Sequence, residues 1–230
     1  MIAGNKTTVN GSMNYYVQES PGVKRRCYAF VKRAFDIVAS AAALIILSPI
    51  MLIAAILVYV DDPGKVFYGH VRIGKNGKPF KMWKFRSMYM NADKMIDLLT
   101  PEQAKQYYTE FKIDNDPRIT KIGNFLRKTS LDELPQLFNV LCNDMSLVGP
   151  RPERPFFVEK FREEIPRYMV KHQVRPGLTG WAQVNGYRGD TSIRKRIECD
   201  LYYIENWTVG LDIKIMFMTI FKGFINKNAY

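Results

Sequence analysis

The stretch "IVASAAALIILSPIMLIAAILVYV", residues 37 to 60, carries no charge over its whole length and ends against Asp61 and Asp62. As a helix it is long enough to cross about 30 Å of hydrocarbon. A secretory leader does not fit, because the apolar region is too long and no small-residue cleavage pattern follows it. The stretch is therefore expected to remain as a membrane anchor. Pro49 stands near its middle, where it removes a helical hydrogen bond at a cost of about 3 kcal/mol in an ordinary helix. Ser48 can return a hydroxyl bond to the opened backbone. Halves of about 12 and 11 residues, each about 18 Å long, are too short to cross alone. A re-entrant hairpin dipping into one leaflet thus competes with a single kinked spanning helix.

Working outward, Lys24, Arg25, Arg26, Lys32 and Arg33 precede the stretch, and Lys65, Arg72, Lys75 and Lys78 follow it. The positive-inside rule then keeps both flanks in the cytoplasm. Residues 1 to 23 read as a loose tail with no assigned function, 24 to 61 as the membrane unit, and 62 to 230 as a cytoplasmic domain. In that domain, "VFYGHVRIGKNGKPFKMWKFRSM" reads as two strands joined at Asn76-Gly77. "TPEQAKQYYTEF" reads as a helix with Thr100 as N-cap and Gln103 closing a capping box. A helix is expected after Asp132 and Glu133, and another in "RPFFVEKFREEIPRYM". "WTVGLDIKIMFMTIFKGFI", with charges inside it, suits an interfacial or buried helix better than a second span. The fold class is α+β, mixed and helix-dominated.

The 230 residues with 47% apolar content hold one substantial core, and the net charge of +12 points to an anionic partner without choosing among nucleic acid, acidic lipid and nucleotide phosphates. Three scattered cysteines and two distant histidines suggest neither a disulfide framework nor a zinc site. Against this basic background, "RKTSLDELPQLFNVL", residues 127 to 141, places two bare carboxylates, Asp132 and Glu133, side by side. Ser130 and Glu133 have the spacing of a capping box. However, Pro135 would then sit inside the hydrogen-bonded ladder, whereas proline prefers the first helical position. A helix starting nearer Pro135 leaves the acids at its mouth beside Arg127 and Lys128, a place for phosphate. An acid there either holds a metal or attacks phosphorus. Mg2+ takes one or two carboxylates and completes its shell with phosphates and water. Aspartate is ionised at neutral pH, with a reference pKa of about 3.9, and aspartyl phosphates are established chemistry. Arg127, Arg151 and Arg154 are candidates to offset the repulsion between carboxylate and phosphate. In "RPGLTGWAQVNGYRG", Arg175, Gln183, Asn185 and Arg188 either hold nucleotide or sugar, or belong to turn-and-strand packing.

Three blocks, "KRAFDIVASAAALIILSPIMLIAA", "DPRITKIGNFLRKTSLDELPQLFNVLCNDMSLVGPRPE" and "VRPGLTGWAQVNGYRGD", resemble in this order the bacterial sugar transferases. These are monotopic phosphoglycosyl transferases that start exopolysaccharide, capsule or glycoprotein glycan assembly. The resemblance covers roughly residues 28 to 230 and is to the small forms reduced to the catalytic unit. It implies transfer of a sugar 1-phosphate from a UDP-sugar to undecaprenyl phosphate with release of UMP, dependent on Mg2+, at the cytoplasmic face of the bacterial inner membrane. By the same resemblance Asp132 is the nucleophile, Glu133 its partner, and Arg127 and Arg151 bind phosphate. Ser48 and Pro49 match the family's re-entrant break, which favours the hairpin. "DLYYIENW" and "KNAY" resemble members that handle glucose or galactose phosphate.

The acceptor is itself a phosphate monoester, largely dianionic at pH 7 with a second pKa near ~6, so neither step needs a general base. Glu133 then serves as metal ligand or positioning group. Two alternatives remain: a direct transferase in which Asp132 only binds metal, and a basic membrane-tethered binding module. No helix-turn-helix, zinc-finger or RNP signature supports nucleic acid as the partner. A homo-oligomer is compatible with the sequence.

Overall fold

A computed structural model describes residues 23–110, 113, 115–188 and 191–223. The tail expected at 1 to 23, save its last residue, and the closing "KNAY" lie outside the described residues. The first element, α1 (Val23–Asp61), is helical without interruption through Pro49. Ser48 Oγ donates to Ile45 O at 2.7 Å and so takes the carbonyl that a proline at 49 leaves without its helical N–H. Asp36, Ser40, Met51, Ala54 and Val58 are buried, whereas Ile45 and Ile46 are 75% and 73% exposed. An apolar helix left this open is suited to lipid rather than to a protein core.

β1 (Phe67–Ile73) and β2 (Pro79–Phe85) form an antiparallel ribbon, Phe67 opposite Phe85 and Ile73 opposite Pro79. The Asn76-Gly77 turn joins them as expected, both residues having positive φ, 56° and 72°. α2 (Pro101–Glu110) starts on the predicted capping box: Gln103 N donates to Thr100 Oγ1 and Thr100 N to Gln103 Oε1, each at 3.2 Å. Then come α3 (Lys121–Lys128), capped by Thr120, and the short α4 (Gln136–Leu141). β3 (Ser146–Val148) precedes α5 (Pro155–Glu164) and pairs in parallel with β4 (Gly177–Thr179). The chain continues through α6 (Trp181–Val184), α7 (Ile193–Glu205) and α8 (Val209–Gly223). The fold is the helix-dominated α+β arrangement that the sequence predicts.

Between β3 and β4, main chain lies directly on main chain. A Cβ on Gly177 would stand 2.1 Å from Gly149 N, and one on Gly180 2.2 Å from Gly149 O. This closeness lets Gly177 N donate to Pro150 O at 2.9 Å, which pins the turn that presents Arg151. One apolar cluster joins Met51, Ala54 and Val58 of α1 to Phe85 and Leu126, with Leu131 and Leu134 packed against it. Another joins Val148, Val184, Tyr203, Ile204 and Ile215. α8 is amphipathic, with Asp212 and Ile215 inward and Ile213, Phe217, Ile220 and Phe221 outward.

Both ends of α1 dock on this one body. Near its start, Asp36 accepts from Ser146 Oγ at 2.7 Å and Leu147 N at 3.2 Å, and Lys32 pairs with Asp212 at 2.9 Å. At its far end Asp61 accepts from Ile122 N at 3.1 Å, while the adjoining Asp62 binds the Arg86 guanidinium.

Two helical glycines respond oppositely to the same substitution. A Cβ on Gly123 in α3 would lie 2.1 Å from Ser87 O and 2.6 Å from Ser87 C, backbone that cannot step aside, whereas one on Gly210 meets only Thr208 Oγ1 at 3.9 Å. Gly123→Ala is expected to cost about 2 kcal/mol or more, and Gly210→Ala to gain a few tenths through helix propensity, at about 1 kcal/mol at most. Thermal unfolding in micelles checks both signs.

Candidate active site

The α3–α4 connection builds the site. Ser130 takes a left-handed conformation (φ 57°), Leu131–Glu133 form a single 3-10 turn, and Pro135 stands at the N-cap of α4. The proline therefore starts the helix instead of interrupting it. The Ser130 side chain makes no cap bond, so the alternative capping box does not form. Asp132 and Glu133 are left 3% and 5% exposed. A six-residue helix has little macrodipole, so the compensation for two buried acids comes from side-chain cations.

Lys84 supplies the central one. Its Nζ donates to Asp132 Oδ2 at 3.1 Å and to Glu133 Oε1 at 2.9 Å, bridging the pair. The sequence reading missed it. Its signal was the alternation in "FKMWKF": Phe80, Met82 and Lys84 turn inward while Lys81 and Trp83 turn out, which leaves one lysine on the apolar face. Arg151 binds both Glu133 oxygens, and Arg188 Nη2 lies 3.4 Å from Glu133 Oε2 and 3.4 Å from Ser130 Oγ. Arg127 is held by Nε donation to Ser87 Oγ at 2.8 Å and adds its field at Asp132.

The other predicted residues stand elsewhere. Arg175 donates to Asn143 O at 3.3 Å, in the surroundings of Arg33 and Asp36 on α1. Gln183 donates to Leu178 O and Asn185 to Trp181 O, both local bonds around α6. Arg154, at the N-cap of α5, faces Tyr68 and His70. Of the glycine-rich block only Arg188 meets the acids, and Arg175, Gln183 and Asn185 bond to main chain away from them. A second tier of charge lies behind Arg151. Buried Glu153 accepts from Arg196 at 3.2 Å and faces Arg72, and Lys171 pairs with Asp200 at 3.0 Å.

The two acids differ in electrostatics. Burial is the largest influence on Asp132 and raises its carboxyl; Lys84 pulls it back and Glu133 pushes it up, leaving it above the ordinary aspartate value. Burial would raise Glu133 too, but Arg151, Lys84 and Arg188 outweigh it and hold that carboxyl well below the usual range. Asp132 Oδ2 is tied to Lys84, while Oδ1 is buried without a hydrogen-bond partner. An oxygen in that condition fits a Mg2+ whose shell is completed by phosphates and water, and among the described residues no cluster of three or more acidic, histidine or cysteine side chains offers a larger cage. Glu133 fits the same ion only if Arg151 or Arg188 turns away from it.

The sequence profile of the family described as bacterial sugar transferase matches residues 27–226. The chain is 50% identical over 205 residues, 87% of its length, to the UDP-glucose:undecaprenyl-phosphate glucose-1-phosphate transferase of Escherichia coli, of which it covers 41%. It is 46% identical over 84% of its length to the UDP-N-acetylgalactosamine-undecaprenyl-phosphate N-acetylgalactosaminephosphotransferase of Aeromonas hydrophila, covering 43% of that protein. With the exopolysaccharide production protein ExoY of Rhizobium meliloti the identity is 38%, over 97% of this chain and 98% of the relative. The chain thus spans about two fifths of the first two relatives and nearly all of the third.

Opposite shifts in the two carboxyls predict opposite effects on stability. Glu133, depressed on folding, contributes stability above the unfolded glutamate value of about 4.3 and loses it as pH falls through its folded value. Glu133→Gln should therefore destabilise at pH 7 by roughly 2 kcal/mol, less than for a wholly buried pair because its cationic partners are about a quarter exposed. Asp132, raised on folding, contributes below the unfolded aspartate value and loses that contribution as pH climbs through its folded value. Asp132→Asn should match or exceed the wild-type Tm at pH 7, with the advantage gone in acid. Melting curves from pH 3 to 8 measure both.

Proposed function

The chain belongs to the bacterial sugar transferase family, and from that membership we propose that it moves a sugar 1-phosphate from a UDP-hexose to undecaprenyl phosphate through a covalent intermediate on Asp132. The relatives from Escherichia coli and Aeromonas hydrophila are named for transfer to undecaprenyl phosphate, one with glucose and one with N-acetylgalactosamine. UDP-glucose or UDP-galactose is the proposed donor, and initiation of exopolysaccharide or capsule synthesis the proposed role.

The observation that carries the reading is Asp132 Oδ1, a poorly solvated carboxylate oxygen with no partner, beside an oxygen tied by Lys84 and within the field of Arg127. Oδ1 bonds to the phosphorus that bears the sugar. The bond from that phosphorus to the bridging oxygen breaks, and UMP leaves with the electron pair. An oxygen of undecaprenyl phosphate then attacks the same phosphorus, and the Asp132 carboxylate departs. No proton moves at Asp132, because the acceptor monoester is already ionised near neutral pH. Lys84 orients the nucleophile, and Glu133 gathers Arg151 and Arg188, whose guanidinium groups face the transferring phosphate. Mg2+, for which Asp132 is the ligand left available while Arg151 and Arg188 stay on Glu133, would supply further positive charge against the diphosphate.

The same proposal places α1 in one leaflet of the inner membrane, with the catalytic domain on the cytoplasmic face. A helix that crossed about 30 Å of hydrocarbon would separate its ends by a bilayer, yet Lys32 and Asp36 at one end and Asp61 at the other bind the same folded body. The outward apolar face of α8 suits the adjoining interface.

Protein incubated with UDP-glucose, UDP-galactose or UDP-N-acetylgalactosamine, without acceptor, is expected to gain a sugar-phosphate mass on the peptide holding Asp132, and the donor that labels identifies the sugar. Asp132→Asn should take no label and lose turnover. Absence of an adduct under rapid quench, together with sequential kinetics, would establish direct transfer instead.

For topology, the native exposed Cys27 precedes the apolar stretch and exposed Cys142 lies in the catalytic domain. In single-cysteine variants, an impermeant thiol reagent should spare both in intact cells and label both in inverted vesicles. Labelling of Cys27 from outside would make α1 a spanning helix.

A further inference from the structure

Asp132 and Glu133 lie between two short helices, and α1 holds the outer end of each. Arg33 Nη1 donates to Val140 O at 2.7 Å and Nη2 to Leu141 O at 3.1 Å, the last carbonyls of α4. At the opposite end of the unit, Ile122 N, near the start of α3, donates to Asp61 Oδ2 at 3.1 Å. Helix ends leave such groups without intrahelical partners, and water or a neighbouring loop can satisfy them. Here both partners come from one membrane helix. Between the two anchors, Met51, Ala54 and Val58 of α1 share the apolar cluster on which Leu131 and Leu134, the residues bracketing the acids, rest. Just past α1, Asp62 binds Arg86 and accepts from Met90 N at 2.8 Å, fixing the end of the strand that carries Lys84.

We propose that Arg33 and Asp61 are positioning residues for the acid pair: α1 clasps the two outer ends of the α3–α4 unit, so its seat in lipid sets where Asp132 stands relative to Lys84. The reading of activity rests on the proposed transferase function; the clasp itself does not. Neither residue touches substrate. Each acts through the helix whose end it holds, so loss of either should disturb the chemical step more than donor binding.

Arg33 is suited to this because a planar guanidinium can reach two carbonyls at once, whereas an ammonium is a point donor. Lysine at 33 therefore keeps the charge that favours a cytoplasmic flank but breaks the fork. Asp61 needs only an acceptor, which asparagine also provides.

The full chain in lipid nanodiscs is compared as wild type, Arg33→Lys, Asp61→Asn and Asp61→Ala, by steady-state kinetics and by hydrogen exchange without substrate. Arg33→Lys and Asp61→Ala should each lower kcat about tenfold, the worth of one hydrogen bond of typical strength, with the donor KM within about twofold of wild type. Amides of residues 129 to 142 should exchange faster in Arg33→Lys, and those of 121 to 135 faster in Asp61→Ala. Asp61→Asn should restore both readouts. Wild-type kcat in Arg33→Lys and Asp61→Ala overturns the proposal, and faster exchange without loss of kcat overturns it too, since the contacts would then be structural only. Loss of Arg33→Lys from the membrane fraction would assign Arg33 to insertion and also count against the clasp. Should wild type transfer no sugar from any UDP-hexose, the functional reading fails, and exchange over 121 to 142 alone decides the clasp.

Discussion

Two adjacent carboxylates buried at the same turn repel each other and resist leaving water, and the catalytic domain is arranged around that difficulty. Lys84 bridges the two acids, and Arg151 and Arg188 settle on Glu133. The compensation is unequal. Glu133 receives three cations and is held firmly ionised, while Asp132 shares Lys84 with it and keeps one buried oxygen without a hydrogen-bond partner. A symmetrical arrangement would have quenched both acids. In the proposed reaction the inequality divides the pair into a group that organises cations and a group that attacks phosphorus.

Each cation in turn depends on a scaffold of its own. Lys84 needs the β1–β2 ribbon, Arg151 needs the close approach of Gly149 to Gly177, and Arg127 needs Ser87. Buried Glu153, with Arg72 and Arg196 about it, allows several guanidinium groups to gather in one region without an uncompensated positive field. Stability and reactivity are therefore spread over the same network, and core positions far from Asp132 bear on its chemistry.

Local chemistry was legible in the sequence where the partner lies within a few residues. The Thr100–Gln103 capping box, the Asn76-Gly77 turn, the Ser48 bond beside Pro49 and the start of α4 at Pro135 all follow from short-range rules, and all are seen. The acid pair was found because carboxylates side by side are conspicuous in a basic chain, and Arg151 because it stands close to them in sequence and matches the family resemblance. Lys84 was not, since its role depends on which face of β2 turns inward and on a partner 48 residues away. Arg175, Gln183 and Asn185 were grouped with the site by their neighbourhood in sequence, but the glycines around them serve a main-chain contact that no local rule announces. The anchors of α1, such as Asp36 to Ser146 across 110 residues, were equally out of reach.

The docking of both ends of α1 on one body has a consequence for how the chain is made. Between Ile37 and Val60 there is no charged side chain, and the charged anchors on either side finish against the same surface. In the proposed one-leaflet placement, with both ends retained on the side of synthesis, no ionised group would have to be carried through hydrocarbon. Insertion is then governed by how much apolar area enters the bilayer, as for a surface-active helix. On that placement the domain would complete its folding in water and seat itself afterwards, and biogenesis of this protein would not be tied to the ribosome's position on the membrane.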